Sequence, residues 1–308
     1  MEVLKSVLPV VVLLIAGMIL REKKLISDRG IEGLQALVMN ITLPAGLFAA
    51  FYKTTLTLQE LILPLTMFVL VTAGIFLARP LCKVFRERDE YVPFLSSGYE
   101  FGMLGYALMT ILAGADNITT LAVMDIGQCF AVFTVYVGLL KGMTGEKQSA
   151  GQVIKGLVTT PVLVAIVAGA LIGVTGLGGL TEKIGISPLI DSICSFASAP
   201  TSAAILVVIG YRMNFKGLDI KRVGRACLIR VILQGVFAAA VLGLFALVGG
   251  VCSERLTTFT LILAITLPPP FVLPLYIEED EKKEFYSLTI SAYTVISIAA
   301  FAVLTALY

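Results

Sequence analysis

The chain has 308 residues, 58% of them hydrophobic and only 14% charged, with a mean hydropathy of +0.96. That balance excludes a water-solvated fold around one apolar core, and the lack of period-2 alternation excludes a barrel, leaving helices that satisfy their own backbone in lipid. The formal net charge of +2 says nothing about nucleic acid, but no basic stripe with interleaved aromatics exists, so no nucleic-acid partner is expected.

Histidine and tryptophan are absent, and the five cysteines form no CxxC pair. A zinc site, a haem site and a disulfide framework are therefore not expected. No cofactor is expected beyond a coupling ion, H⁺ or Na⁺. Without histidine, any proton step falls to a carboxylate.

The first apolar stretch, residues 7–20, is followed by more basic charge (Arg21, Lys23, Lys24) than precedes it (Lys5). It also lacks a small-x-small cleavage site, so it reads as a retained first span with its N-terminus outside rather than as a signal peptide. Ten apolar spans follow one another at about 3–20, 31–51, 58–82, 92–113, 118–140, 157–175, 188–211, 222–249, 256–277 and 284–307. The break between 175 and 188 is the softest, marked by a glycine-rich stretch and then by Glu182 and Lys183.

Lysine and arginine are shared unequally between the two sides. Eighteen of 23 lie in or beside the loops after spans 1, 3, 5, 7 and 9, among them Lys147, Lys216, Lys282 and Lys283. Lys5, Lys53, Lys183 and Arg255 lie on the other side, and Arg230 falls inside a span. This bias places the basic loops in the cytoplasm and both termini outside, as in a multi-pass protein of the bacterial plasma membrane. The first five spans (1–140), a cytoplasmic linker (141–156) and the last five (157–308) make two halves. With five spans each, the halves must enter the membrane in opposite directions, which is the geometry of inverted-repeat carriers. Sequence similarity between the halves is faint: LPAGLFAAF at 43–51 loosely echoes APTSAAILV at 199–207.

The fourth span of each half carries a breaker. Span 4 sets Gly98, Gly102 and Gly105 around a mid-span acid, Glu100. Span 9 has Pro268, Pro269 and Pro270 in a row, with Pro274 soon after. Three consecutive prolines remove three amide donors and cannot continue a helix. The carbonyls they free must line a cavity or meet another group. Simple helix packing by the glycines and a structural kink at the prolines are the alternatives.

Charges inside spans are costly and mark function or a buried partner. Glu100 reads as a protonatable coupling group or sodium ligand, or else as a structural partner for a neighbouring helix. Asp125 and Gln128 share a face of span 5, extending a polar site or hydrogen bonding between helices. Arg230, with Gln234 one turn on, either snorkels to the cytoplasmic face, holds a substrate carboxylate, or pairs with Glu100 or Asp125. Asp191 begins span 7 on the outer side and reads as interfacial. The run from Glu278 to Glu284 reads as a solvated cytoplasmic turn.

Three stretches resemble the auxin efflux carrier family, which includes plant auxin exporters (PIN proteins) and bacterial malate and malonate permeases. They are Ile31-Glu32-Gly33-Leu34 leading to Leu43-Pro44, SGYEFGMLGYAL at 97–108, and PPPFVLPLY at 268–276. The resemblance covers essentially the whole chain. It implies an all-α fold of ten transmembrane helices in a 5+5 inverted repeat, with helices 4 and 9 broken where they cross around an organic anion. It also implies a scaffold of spans 1, 2, 6 and 7, against which a bundle of spans 3–5 and 8–10 moves as an elevator. A homodimer is left open. The family commonly has asparagine at the position of Glu100 and proline at that of Tyr106, so an anion meets a carboxylate here unless Glu100 is protonated or paired.

The reading is a secondary carrier, not an enzyme, for a small carboxylate. Gly102, Gly105, Tyr106, Pro268, Pro269, Pro270 and Arg230 are expected to bind substrate, and Glu100, Asp125 and Gln128 the coupling ion or proton. No metal site is expected. A drug/metabolite-type exporter, which keeps both termini inside, and a membrane sensor without transport are the rival readings.

Overall fold

The computed structural model describes residues 2–308 apart from 55–57, 144, 146–148, 216, 218 and 278. Lys147, Lys216 and Glu278, which entered the charge pattern, lie outside the described residues. The described chain is helical, with no strand. In chain order its helices are α1 (Glu2–Glu22), α2 (Asp28–Phe51), α3 (Gln59–Val84), α4 (Val92–Leu95), α5 (Phe101–Ala113), α6 (Thr119–Met143), α7 (Ala150–Val158), α8 (Pro161–Val174), α9 (Leu177–Lys183), α10 (Ser187–Arg212), α11 (Ile220–Val248), α12 (Arg255–Thr266) and α13 (Asp280–Leu307). By length and composition α2, α3, α6, α10, α11 and α13 suffice to cross a bilayer, and α7 with α8 makes a bent seventh.

Local sequence accounts for the helix ends. Ser27 caps α2 by accepting the amide of Gly30 at 3.2 Å. Asp219 caps α11 by accepting the amides of Lys221 and Arg222, both at 3.1 Å. Gly249, at φ +69°, stops α11. The predicted linker 141–156 is not all loop. It contains most of α7, which turns by 71° into α8 at Thr159–Thr160 and leaves Ile154 and Val158 exposed. Apolar residues at 153, 154, 157 and 158 give α7 one apolar face, the pattern of a helix lying along an interface.

The chain forms two compact units interleaved in sequence. Residues 1–61, 102–123 and 155–212 make the first; residues 62–101, 124–154 and 213–308 make the second. Residues 102–123 thus cluster with the unit that holds spans 1, 2, 6 and 7.

The first unit is built on close backbone contact. A Cβ on Gly17 of α1 would lie 2.2 Å from the Val207 carbonyl of α10, and one on Gly210 would lie 2.1 Å from that of Leu14. In a lipid environment, where burying apolar surface gives helices little reason to associate, such small-residue crossings supply the packing. Polar ties reinforce them. Thr201 bonds Thr42 at 2.9 Å, and Asp191 accepts from Tyr52 at 2.5 Å and Lys53 at 2.7 Å. Asp191 thus anchors the start of α10 to Tyr52 and Lys53. The Asp191 carboxylate, with Tyr52 second, holds the Lys53 ammonium above the usual lysine range.

The second unit packs α3 against α6, where a Cβ on Gly127 would lie 1.8 Å from the Pro64 carbonyl. At one end, buried Glu87 and half-buried Asp89 meet Arg222 at 3.5 and 3.0 Å, and the Arg222 guanidinium lies 4.0 Å from the ring centre of Phe285.

Candidate functional site

Both expected breaks exist, and both lie in the second unit. The first runs through residues 96–100 between α4 and α5. The second runs from Leu267 to Val272, between α12 and a 3₁₀ turn at Leu273–Tyr276. Gly98 makes the first break possible. It sits at φ +66°, a conformation L side chains rarely adopt, and a Cβ there would lie 2.6 Å from Pro270 Cγ. The glycine of one break thus receives the last proline of the other.

Five successive carbonyls, of Leu95 at the end of α4 and of residues 96–99 in the first break, each accept from a side chain. Arg230 Nη1 donates to the carbonyls of Leu95 at 2.7 Å and Ser97 at 3.4 Å. Its Nη2 donates to Gly98 and Leu267, each at 2.8 Å. Gln234 Nε2 donates to the Ser96 carbonyl at 2.8 Å while its Oε1 accepts from the Tyr99 hydroxyl at 2.8 Å. Gln128 Nε2 donates to the Tyr99 carbonyl. Buried backbone oxygens need such partners, because each unmet one costs about 1–3 kcal/mol.

Arg230 is therefore neither snorkelling nor held by a carboxylate. It is 1% exposed, fixed by carbonyls from both breaks, and flanked by the rings of Tyr99 and Tyr293, with ring centres 5.4 and 4.9 Å away. Its four bonds engage the Leu267 carbonyl at the C-terminal end of α12, where the helix dipole leaves partial negative charge, and the carbonyls of Leu95, Ser97 and Gly98 at and just past the end of α4. An isolated buried guanidinium would cost several kcal/mol, and this cage supplies the compensation.

Glu100 occupies the opposite pole. Its Oε2 accepts the amide of Phe271 at 2.7 Å, the first donor after three prolines that have none. Its own amide donates to the Pro268 carbonyl at 3.0 Å. Glu100 is half-buried, whereas Arg230 is sealed. The crossover thus carries a fixed cation on its carbonyl side and a carboxylate on its amide side.

Of the residues singled out from sequence, Glu100, Gln128, Arg230 and Pro268–Pro270 come together here. Asp125 is buried and accepts from the Cys129 thiol at 3.4 Å, and that thiol lies in the field of both Asp125 and Glu100. Gly102, Gly105 and Tyr106 belong to the first unit. There Tyr106 lines a cavity of about 560 Å³ with Thr42, Ser198, Thr201 and Ser202, and with Lys53 and Asp191 also on its wall. Tyr99, Thr42 and Thr201 escaped the sequence reading. Tyr99 adjoins Glu100, Thr42 directly precedes the stretch 43–51 and Thr201 follows Pro200 in the stretch that echoes it, which were the available signals. Among the described residues no cluster of three or more acids and cysteines forms a metal site.

No curated protein matches the chain. The family model described as "membrane transport protein" matches residues 2–308. With that match over the whole chain, the protein belongs to the auxin efflux carrier family, a family of membrane transporters.

Proposed function

We propose that the chain is a secondary carrier of a small organic anion, a mono- or dicarboxylate, built as a ten-span 5+5 inverted repeat in the bacterial plasma membrane. The observation that carries this reading is the pair of broken helices meeting at Glu100 and Phe271. Unwound backbone of this kind presents amide and carbonyl poles to a charged ligand in inverted-repeat carriers. The tie between Thr42 and Thr201 supports the repeat: both threonines lie in the second spans of their halves, Thr42 just before the stretch 43–51 and Thr201 within the stretch 199–207 that loosely echoes it. The division of the chain into two interleaved units supports an elevator movement of one against the other.

Glu100 gives the carrier its coupling step. As a carboxylate it holds the Phe271 amide that an anionic substrate would use. A proton on Glu100 turns it from acceptor to donor. The substrate carboxylate then takes the Phe271 amide and accepts the Glu100 hydroxyl, so anion and proton bind together. Replacing Arg230 or the prolines would disturb the site that this exchange needs.

Uptake of labelled carboxylates into proteoliposomes, measured across pH for wild type and Glu100→Gln, tests the reading. Accumulation driven by an inward proton gradient in wild type, with its pH dependence lost in the variant, is expected. A Glu100→Gln carrier that keeps the full pH response would refute the coupling role. Absence of flux for every carboxylate tried would refute carriage of these anions.

A further inference from the structure

We infer that Arg230 is the resident cation of the crossover: its guanidinium fills the carbonyl cage in which a carrier of this architecture would hold Na⁺, so this chain binds no sodium there. The second half of the idea, that protonation at Glu100 is then the only cation-linked step, rests on the transport reading above. The first half rests on the inverted-repeat reading for the expectation of a sodium site, and on geometry for the occupancy of the carbonyls by Arg230.

Carbonyls released by broken helices, together with the C-terminal ends of half-helices, are the groups that coordinate Na⁺ in inverted-repeat carriers. In this chain those groups are Leu95, Ser97 and Gly98 of one break and Leu267 of the other. All four are occupied by the two terminal nitrogens of one side chain, at 2.7–3.4 Å. The neighbouring carbonyls of Ser96 and Tyr99 are taken by Gln234 and Gln128. Every backbone carbonyl of the 95–99 run is thus engaged by a side chain, and the Ser96 hydroxyl is the one oxygen of the run buried without a partner among the described residues.

Three properties make this occupant permanent. A guanidinium cannot be deprotonated in a protein, so pH does not empty the cage. It is tethered to α11, so it cannot exchange with bulk cation. The Tyr99 and Tyr293 rings close its faces, leaving it 1% exposed. Sodium entering would have to share carbonyls with a full positive charge a few ångströms away, which is repulsive in a site of low dielectric. Arg230 Nε, buried with no hydrogen-bond partner among the described residues, shows that the side chain's terminal fork rather than its full donor set was matched to the cage.

The test reads apparent melting temperature of the purified protein at constant ionic strength, with Na⁺, K⁺ or choline as the cation. Wild type is expected to melt at the same temperature in all three. Arg230→Ala should melt roughly 10 °C lower, since a buried charge site has lost its occupant. Millimolar guanidinium should recover part of that shift, and Na⁺ should recover more than choline. Arg230→Lys keeps the charge with fewer donors, so it should fold with a smaller loss and stay indifferent to sodium. Sodium-specific stabilisation of wild type or of Arg230→Lys would overturn the inference, as would an Arg230→Ala protein that responds to neither guanidinium nor Na⁺. If Arg230→Ala does not fold, the wild-type and lysine arms still decide. Because these arms involve no substrate, a failure of carboxylate uptake would sink only the transport reading.

Discussion

The carboxylate of Glu100 accepts the amide of Phe271 at 2.7 Å, across 171 residues of sequence. The bond ties one broken helix to the other through the first N–H that follows three prolines. Glutamine at position 100 can still accept that amide, but alanine cannot. Glu100→Gln is therefore expected to keep thermal stability within about 1 kcal/mol of wild type, while Glu100→Ala loses about 1–3 kcal/mol from the orphaned amide. Equal losses in denaturant or thermal melts of the two variants would show that charge, not the hydrogen bond, holds the crossover.

Gly98 and Pro270 leave no room for a side chain between the two breaks. Gly98→Ala places a Cβ 2.6 Å from Pro270 Cγ and also forces an L residue to φ +66°. The left-handed conformation alone costs about 1–2 kcal/mol, and the clash adds to it. Pro270→Ala in the same chain removes the obstructing ring. The double variant should recover the clash component and leave the conformational one. Strict additivity of the two single losses would refute the contact.

The location of both breaks was legible because the residues that make them, Gly98 and Pro268–Pro270, act on their own backbone. The same holds for Glu100, which is conspicuous as an acid in an apolar run. What satisfies the breaks was not legible. Arg230 lies five residues past Arg225, so sequence distance alone allows it to snorkel. Only the folded packing of α11 brings it and Gln234 to carbonyls more than 130 residues away. Backbone carbonyls have no sequence signature, so a search for the partner of a buried cation looks first to Glu100 and Asp125. The short length of α4, four residues, was hidden because span 4 is apolar enough overall, despite Ser96, Ser97 and Glu100, to read as one span, and hydropathy does not register an unwound turn.

Gln234 bridges the Ser96 carbonyl and the Tyr99 hydroxyl. Gln234→Leu leaves both unmet in a buried setting and should cost about 2–4 kcal/mol. Tyr99→Phe removes one partner of the same bridge and should cost about 1 kcal/mol. Because the two residues share a bond, the double variant should lose less than the sum, with a coupling of about 0.5–3 kcal/mol in a thermodynamic cycle. Zero coupling would place Tyr99 and Gln234 in separate environments.

Lys53 gives a pH prediction with a defined sign. Its ammonium is held above the usual lysine range by Asp191, so its contribution is complete below the unfolded value near 10.4 and fades only as pH rises through the folded value. The stability difference between wild type and Lys53→Met should therefore be flat from about pH 6 to pH 9. It should also be small, at most about 1 kcal/mol, because the Lys53 side chain is 36% exposed and screened by solvent. A difference that declines between pH 7 and pH 9 would contradict the pairing with Asp191.

Gly210 and Gly243 offer a matched comparison of one substitution in two surroundings. An alanine Cβ at Gly210 would meet the Leu14 carbonyl at 2.1 Å and its Cα at 2.7 Å, so α1 and α10 would have to separate. Both obstructing atoms are backbone, which cannot swing aside as a flexible side chain would. At Gly243 nothing lies within 4 Å, and the residue is exposed on α11. Gly210→Ala is expected to cost about 1–3 kcal/mol or to reduce the folded yield outright. Gly243→Ala is expected to be neutral or to stabilise by about 0.5–1 kcal/mol, since alanine loses less backbone entropy in a helix. Melting both variants in the same detergent removes any general effect of glycine replacement. If Gly210→Ala melts with wild type, the small-residue crossing of α1 and α10 is not what holds the first unit together.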